Sequence, residues 1–422
     1  MRSGFAGFIA LACFTAAISS AHAQGVADSL TLAEAVRTTV AQHPQLAGFV
    51  FELRAEEASL AEATLRPAPQ LEALVEDAAG TGERRGLSTA QTTLSLSQLI
   101  ELGGKREGRA DVARAGEGRI RTEQAARQLD VLAEVARRFY ATLSLQAEMQ
   151  IIEEGVRLAE RTQAAVVARV KAARSPEAEQ ARAEVRVSRL YLELEDAQHE
   201  LQSARYRLAS AMGQHDVTFE RTAGELLTLP PAKPFVALMA QVEQTPDFLR
   251  FADEARLRDA QLRLALATKR ADIRINAGAR RYEDTDDVAL VLGFSVPLYS
   301  ARHAKPQIDT LQAQQGLIAT QRESSLLAVR AQLFAEYQQM QHARHETAAL
   351  RESIIPQLEK ALQLTEYAYE RGRYSYLEWT DAQSELIDAR RQLIDAATRF
   401  HTARVEIERL TGESLTTAGD AR

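Results

Sequence analysis

Between Gly104 and Arg174 the chain carries no proline, and a helical pattern runs through almost the whole interval. At 1.5 Å per residue, about 65 helical residues make a rod of roughly 100 Å, far beyond the helices of globular domains. A chain of 422 residues built around such a rod is elongated rather than divided into ordinary compact domains. Composition agrees. Hydrophobic residues reach 45% but aromatics only 6%, so Ala and Leu carry the apolar content, and 26% of residues are charged. This is the makeup of long, solvent-washed helices.

The helical segments carry narrow apolar seams. Leu129, Leu132, Ala136, Phe139 and Leu143 alternate at three and four, as do Leu190, Leu194, Ala197, Leu201, Ala204, Leu208 and Ala211. In the last helix Leu386, Leu393, Phe400 and Ile407 hold one heptad position and Ala389, Ala396, Ala403 and Leu410 the other. Alanine along a seam predicts close helix packing. Such seams alone are compatible with a plain helical bundle.

The same order of elements occurs twice, around 30–212 and 234–410: short helix, helix, alternating strand, turn, alternating strand, very long helix, tight turn, helix. The boundaries this predicts are a first repeat over 24–225, with strands at about 69–79 and 88–98 and long helices at about 104–172 and 176–212. The second repeat spans 226–412, with strands at about 271–281 and 287–298 and helices at about 303–371 and 376–410. A short tail follows over 413–422.

The strands alternate. Leu71, Ala73 and Val75 oppose Gln70, Glu72 and Glu76, and Ala90, Thr92, Leu94 and Leu96 oppose Gln91, Thr93, Ser95 and Ser97. In the second repeat Ile273, Ile275, Ala277 and Ala279 oppose Asp272, Arg274, Asn276 and Arg280. Val288, Leu290, Leu292, Phe294 and Val296 oppose Ala289, Gly293 and Ser295. Runs of about 10 residues suit tilted strands that cross hydrocarbon. The other explanation of alternation is a sheet with one face on a protein core, and the helices are too narrow-striped to cover such a sheet.

An export signal is expected over residues 1–23: Arg2, an apolar stretch from Phe5 to Ile18, then Ala21 His22 Ala23 before Gln24. Cys13 lies inside it in a poor lipoprotein context, so a chain cleaved after Ala23 has no cysteine. The net charge of −7 becomes −8 without Arg2, and this mild acidity argues against nucleic acid as a partner. Enzyme chemistry has little to stand on. Gly80–Gly86 joins two strands, not a strand and a helix, so it reads as a hairpin loop rather than a phosphate cradle. Neither a nucleophile elbow nor a metal-ligand motif is present. Histidines 43, 199, 215, 303, 342, 345 and 401 are scattered, and no cofactor or metal site is expected.

The long helices turn back at about 172–175 and 371–375. Ser175 before Pro176 and Ser375 before Tyr376 read as caps, with Glu378 completing a capping box. Both turns fall at the end of the rod opposite the strands. Glu378 and Asp381, three apart, project from one helix face. Repeated around a pore they would form acidic rings that favour cations. As single residues a cap and a solvated acid explain them equally. Pro356 interrupts the second long stretch; a hinge is one reading, and a boundary between stacked helices is the one expected.

Leu30 Thr31 Leu32 Ala33 Glu34 Ala35, and Ile355 Pro356 through Leu386 with Tyr369, Gly372, Leu377 and Asp381 Ala382 Gln383, give the chain a resemblance to the TolC-like outer-membrane efflux protein family. The resemblance covers nearly the whole mature chain. It implies a mainly α fold with membrane β: a homotrimer in which each chain gives four strands to one 12-stranded outer-membrane barrel and its coiled-coil helices to a periplasmic α-barrel. It also implies a passive conduit that opens when a periplasmic adaptor and an inner-membrane pump dock.

By motif, Tyr369 resembles the family's latch tyrosine, and Glu378 and Asp381 its acidic ring. Arg373 lies one residue from the latch arginine. Lys171, Ala172, Arg174, Ser175, Gly372, Tyr374 and Ser375 fall at the adaptor-contacting tips, although the first turn lacks the family's usual glycine. Leu99–Arg106 and Ser175 Pro176 resemble the heavy-metal subgroup, which implies metal cations as cargo and a proton-driven RND pump. Organic-drug efflux, type I protein secretion and a soluble periplasmic coiled-coil adaptor remain as alternatives.

Overall fold

The computed structural model describes residues 27–413; the expected export signal and the tail beyond Glu413 lie outside them. The chain begins with strand β1 (Ala27–Thr31), helix α1 (Leu32–Gln42) and helix α2 (Pro44–Ala63). Strands β2 (Gln70–Glu76) and β3 (Gln91–Ile100) lead into α3 (Lys105–Lys171), a 67-residue helix, and α4 (Glu177–Ala211). After β4 (Phe219–Ala223), the order repeats as α5 (Phe235–Val242), α6 (Pro246–Ala267), β5 (Ile273–Tyr282), β6 (Val288–Ser295), α7 (Ser300–Ala349), α8 (Ile355–Glu370) and α9 (Tyr376–Thr411).

No helix among the described residues is long and apolar enough to cross a membrane. The four-stranded sheet has the right form instead. It is antiparallel in the order β2-β3-β5-β6. Its register stacks the apolar residues of all four strands on one face: Leu71 opposite Leu96, Leu96 opposite Ala277, and Ala277 opposite Leu292. That face lies open. Leu71 is 72% exposed, Leu96 55%, Leu292 70% and Phe294 78%, values that water alone would not support for a contiguous patch.

The opposite face is polar and internally bonded. Arg280 donates to Thr93 (2.8 Å), Gln91 (3.0 Å) and Glu76 (2.8 Å), and Arg274 donates to Gln70 (2.8 Å). At the sheet's helical end Asp272 accepts from Lys105 (2.7 Å) and from the Leu102 amide (3.0 Å), which ties the second repeat's first strand to the first repeat's long helix.

Along its length α3 packs first on α2 and α6, then on α4 and α9. Small residues permit this: a Cβ on Gly108 would stand 3.1 Å from Leu264, and one on Gly155 only 3.8 Å from Leu190. All eight seam residues expected on α9 are buried, with Ala396 and Ala403 fully so. The core centres on the middle of the rod, where Phe139, Leu143, Leu208, Met212 and Val405 meet.

Two features depart from the sequence reading. A second sheet, β1 parallel to β4, sits beside this core where no strands were expected. Gln146 of α3 serves its edge like another strand, accepting from the Thr222 amide (2.8 Å) and donating to the Thr222 carbonyl (2.9 Å). Pro356 does not mark a boundary between stacked helices. A π-helical turn at Leu350–Ile354 takes up an extra residue just before it, so α7 continues into α8 without leaving helical geometry.

Candidate functional site: the turn end of the rod

The two turns at the far end of the helices share one backbone motif. In the first, the Ala173 amide donates to Val170 O (2.9 Å) and the Arg174 amide to Arg169 O (2.9 Å). In the second, the Gly372 amide donates to Tyr369 O (2.9 Å) and the Arg373 amide to Ala368 O (2.9 Å). This paired bonding terminates a helix through one left-handed residue. Gly372 takes it at φ 70°, whereas Ala173 is forced to φ 56°. The missing glycine is therefore replaced by a strained alanine. Ala173→Gly is expected to raise stability by about 0.5–1 kcal/mol, the relief of left-handed strain less the entropy of glycine, read as a shifted denaturation midpoint.

The caps differ between the turns. Glu378 Oε2 accepts from the Ser375 amide (2.7 Å) and hydroxyl (2.8 Å), and Ser375 Oγ accepts from the Glu378 amide (3.3 Å), a complete capping box. These bonds hold the Glu378 carboxyl below its ordinary pKa. Ser175 does not cap α4 as expected. Pro176, extended at ψ 149°, occupies the cap position without a side-chain bond, and Ser175 Oγ instead accepts from Arg169 Nε (3.1 Å).

Beneath the turns lies a small core of Val166, Ala183, Tyr369, Tyr376 and Trp379. Tyr369 is 2% exposed and stacks on Trp379 with ring centroids 4.8 Å apart. Burial is the main force raising its phenol pKa, and the Glu179 charge adds to it against Ser175 and Arg169. The Arg169 guanidinium lies 4.7 Å from the Tyr369 ring centroid and donates to the carbonyls of Tyr369 (2.8 Å) and Glu370 (3.3 Å).

The residues singled out from sequence thus separate into two groups. Tyr369 is inside the chain's own tip. Arg373, Glu378 and Asp381 are exposed, as are Lys171, Ala172, Arg174, Gly372, Tyr374 and Ser375, with Ser175 half-buried. Sequence reasoning missed Arg169 and Trp379, the only tryptophan. It also stopped the acidic face of α9 too early. Glu378, Asp381, Glu385, Asp388 and Asp395 are all exposed at spacings of three, four, three and seven, on the helix flank beside the buried seam. Chemically, a solvated carboxylate stripe attracts cations and repels anions.

The family model described as "Outer membrane efflux protein" matches residues 35–214 and 242–413. The chain belongs to this family. It is therefore an outer-membrane efflux channel, of a family of transport conduits. It is 25% identical over 347 residues to the cobalt-zinc-cadmium resistance protein CzcC of Cupriavidus metallidurans, covering 82% of this chain and 81% of that one. It is 24% identical over 294 residues to the nickel and cobalt resistance protein CnrC of the same organism, covering 69% of each. Among solved structures, CusC superposes with a TM-score of 0.75 at 16% identity, over 93% of this chain and 94% of that one. The outer membrane protein VceC of Vibrio cholerae gives 0.72 at 16%, over 90% and 96%. These superpositions establish the efflux-channel fold along nearly the full described length.

Proposed function

We propose that the chain works as a homotrimeric exit duct for metal cations, coupled through a periplasmic adaptor to a proton-driven RND pump in the inner membrane. The observation that carries the duct is the sheet: apolar and open on one face, polar and bonded on the other, with both edge strands unpaired. Four strands cannot lie in lipid with open edges, and closed barrels begin near eight strands. Three copies supply twelve.

The helical edges support the same association. In the lower rod the helices run α4, α3, α9, α8, so α4 and α8 are the free margins. On α4, Arg182, Val185 and Arg189 line a cleft shared with Tyr376, Thr380 and Gln383 of α9, while Leu192 is exposed; the α8 margin exposes Glu366, Glu370, Leu364 and Tyr367. Exposed apolar residues on both helices, Leu192 on α4 and Leu364 and Tyr367 on α8, suit contact with a neighbouring copy.

Metal cations are favoured by two lines of support. Two relatives that match most of the chain are proteins of cobalt, zinc, cadmium and nickel resistance, and the α9 stripe is acidic where a pore mouth would form. Residues 1–23 are read as the removed export signal, 24–225 and 226–412 as the two repeats, and the exposed tip residues as the adaptor's contacts. Glu378 and Asp381 are the aperture's charges.

Purified protein in planar bilayers tests this. The expected result is a detergent-requiring trimer with cation-preferring conductance. Glu378→Gln with Asp381→Asn, which keeps a capping side chain, should raise the conductance and move the reversal potential towards anions. A monomer that is water-soluble without detergent and carries no current rejects the duct. Unchanged zinc, cobalt and nickel tolerance in a deletion strain rejects metal as the cargo.

A further inference from the structure

We propose that Arg169, at the end of the first long helix, is the cation that latches the two hairpins of one chain together at the aperture, in place of Arg373 on the second turn. This rests on the channel reading above and adds the part that must be released for the mouth to widen.

The geometry points to Arg169 because one side chain joins the first turn to the end of α8. Its Nε donates to Ser175 Oγ (3.1 Å), on the segment leading into α4. Its Nη1 donates to the carbonyls of Tyr369 (2.8 Å) and Glu370 (3.3 Å) at the end of α8. Those carbonyls belong to the last turn of a helix, where the dipole favours positive charge, and the Tyr369 oxygen accepts from Arg169 as well as from the Gly372 amide. Its guanidinium also covers the Tyr369 ring, which stacks on Trp379 of α9. The α8–α9 hairpin therefore cannot swing from the α3–α4 hairpin at this end without detaching Arg169 from two carbonyls and drawing Tyr369 out of its pocket.

Arg373 does not hold such a position. It is exposed, its backbone amide closes its own turn, and its side chain forms no ion pair among the described residues. The planar fork of Arg169 matters as well as its charge, since it serves two hydrogen-bonding directions and a ring face together. Lysine could keep only part of this.

The test is single-channel recording on the full-length trimer. Arg169→Gln is expected to raise open-state occupancy about tenfold, the scale for losing charge-assisted bonds worth one decade in an equilibrium. Arg169→Lys should fall between it and the parent, and Arg373→Gln should match the parent. A rise that graded replacement partly reverses is not the mark of general loosening; helix content and the trimer's melting profile, measured in parallel, separate the two. Parent-like currents from Arg169→Gln, or an equal rise from Arg373→Gln, overturn the latch while leaving the channel intact. Should Arg169→Gln not assemble, parent-like gating in Arg169→Lys overturns it. If the parent trimer itself carries no current, the channel reading fails and the latch with it.

Discussion

Leu96→Arg is expected to keep most of the protein from assembling in the outer membrane. Leu96 sits at the middle of β3, itself an inner strand of the sheet, paired with Leu71 on one side and Ala277 on the other. Its side chain is 55% exposed on the apolar face, with Leu94, Leu71 and Leu292 around it. An arginine on the lipid face of a barrel costs about 2–4 kcal/mol at the bilayer midplane and about 0–1 near the interfaces. The middle of a ten-residue strand lies close to the midplane, so the larger value applies. In a trimer it applies three times.

The matched control is Glu72→Arg. Glu72 is on the neighbouring strand β2, opposite Ser95, so it belongs to the polar face. An added arginine there meets water and should leave assembly within about 1 kcal/mol of the parent. Membrane fractionation and urea unfolding in detergent micelles measure both. Equal losses from the two variants would mean that the sheet does not separate lipid from water, and the duct would lose its physical basis.

What could be read from the sequence is what repeats at short range. Strand alternation has a period of two because one side meets hydrocarbon and the other does not, and the register observed in the sheet preserves that division across all four strands. The α9 heptads were legible for a similar reason, since buried leucines and alanines recur at fixed intervals along one helix. Contacts between distant residues were not legible. β1 and β4 are five residues each and pair across nearly 200 positions, so neither carries enough pattern of its own. Arg169 meets Tyr369 across 200 positions, and no spacing rule predicts that an arginine inside a helix will serve another helix's carbonyls.

Local chemistry was also misjudged where two signals competed. Ser175 lost the cap because Pro176 already supplies the extended conformation that a cap requires, leaving the serine hydroxyl for Arg169. Pro356 suggested a break, but a π turn satisfies the backbone around a proline with one extra residue. In the candidate site, exposure could be anticipated for charged tip residues. The burial of Tyr369 could not, because it depends on Trp379 and Val166 arriving from different helices.

A buried pair on α9 should make stability depend on pH in a way that single variants reveal. His401 is 2% exposed, stacks on Tyr140 at 4.3 Å and bonds through Nε2 to the Leu226 carbonyl (2.9 Å). Burial first, and the Arg404 charge second, lower its pKa to about 4, against the opposing pull of that carbonyl. Glu408 lies seven residues on, so it shares the same helix face, and pairs with Arg404 at 3.2 Å. Burial raises it to about 7, with Glu413 adding to the shift and Arg404 and Lys233 opposing it.

The two groups act with opposite sign. Between pH 6.5 and 4 the unfolded chain protonates His401 while the folded chain does not, so acid removes stability. Between pH 7 and 4.5 the folded chain keeps the Glu408 proton that the unfolded chain has released, so acid adds stability. Each pH unit between the paired values is worth about 1.4 kcal/mol, which gives each group about 3 kcal/mol over its window. In the parent the slopes oppose each other across the shared range. His401→Gln should therefore gain about 3 kcal/mol relative to its own value as pH falls from 7 to 4.5, and Glu408→Gln should lose about as much from 6.5 to 4. Urea titrations of the three proteins at half-unit pH steps measure this, with every other titrating group common to all. Parallel curves would mean that neither group is buried in the state assigned to it.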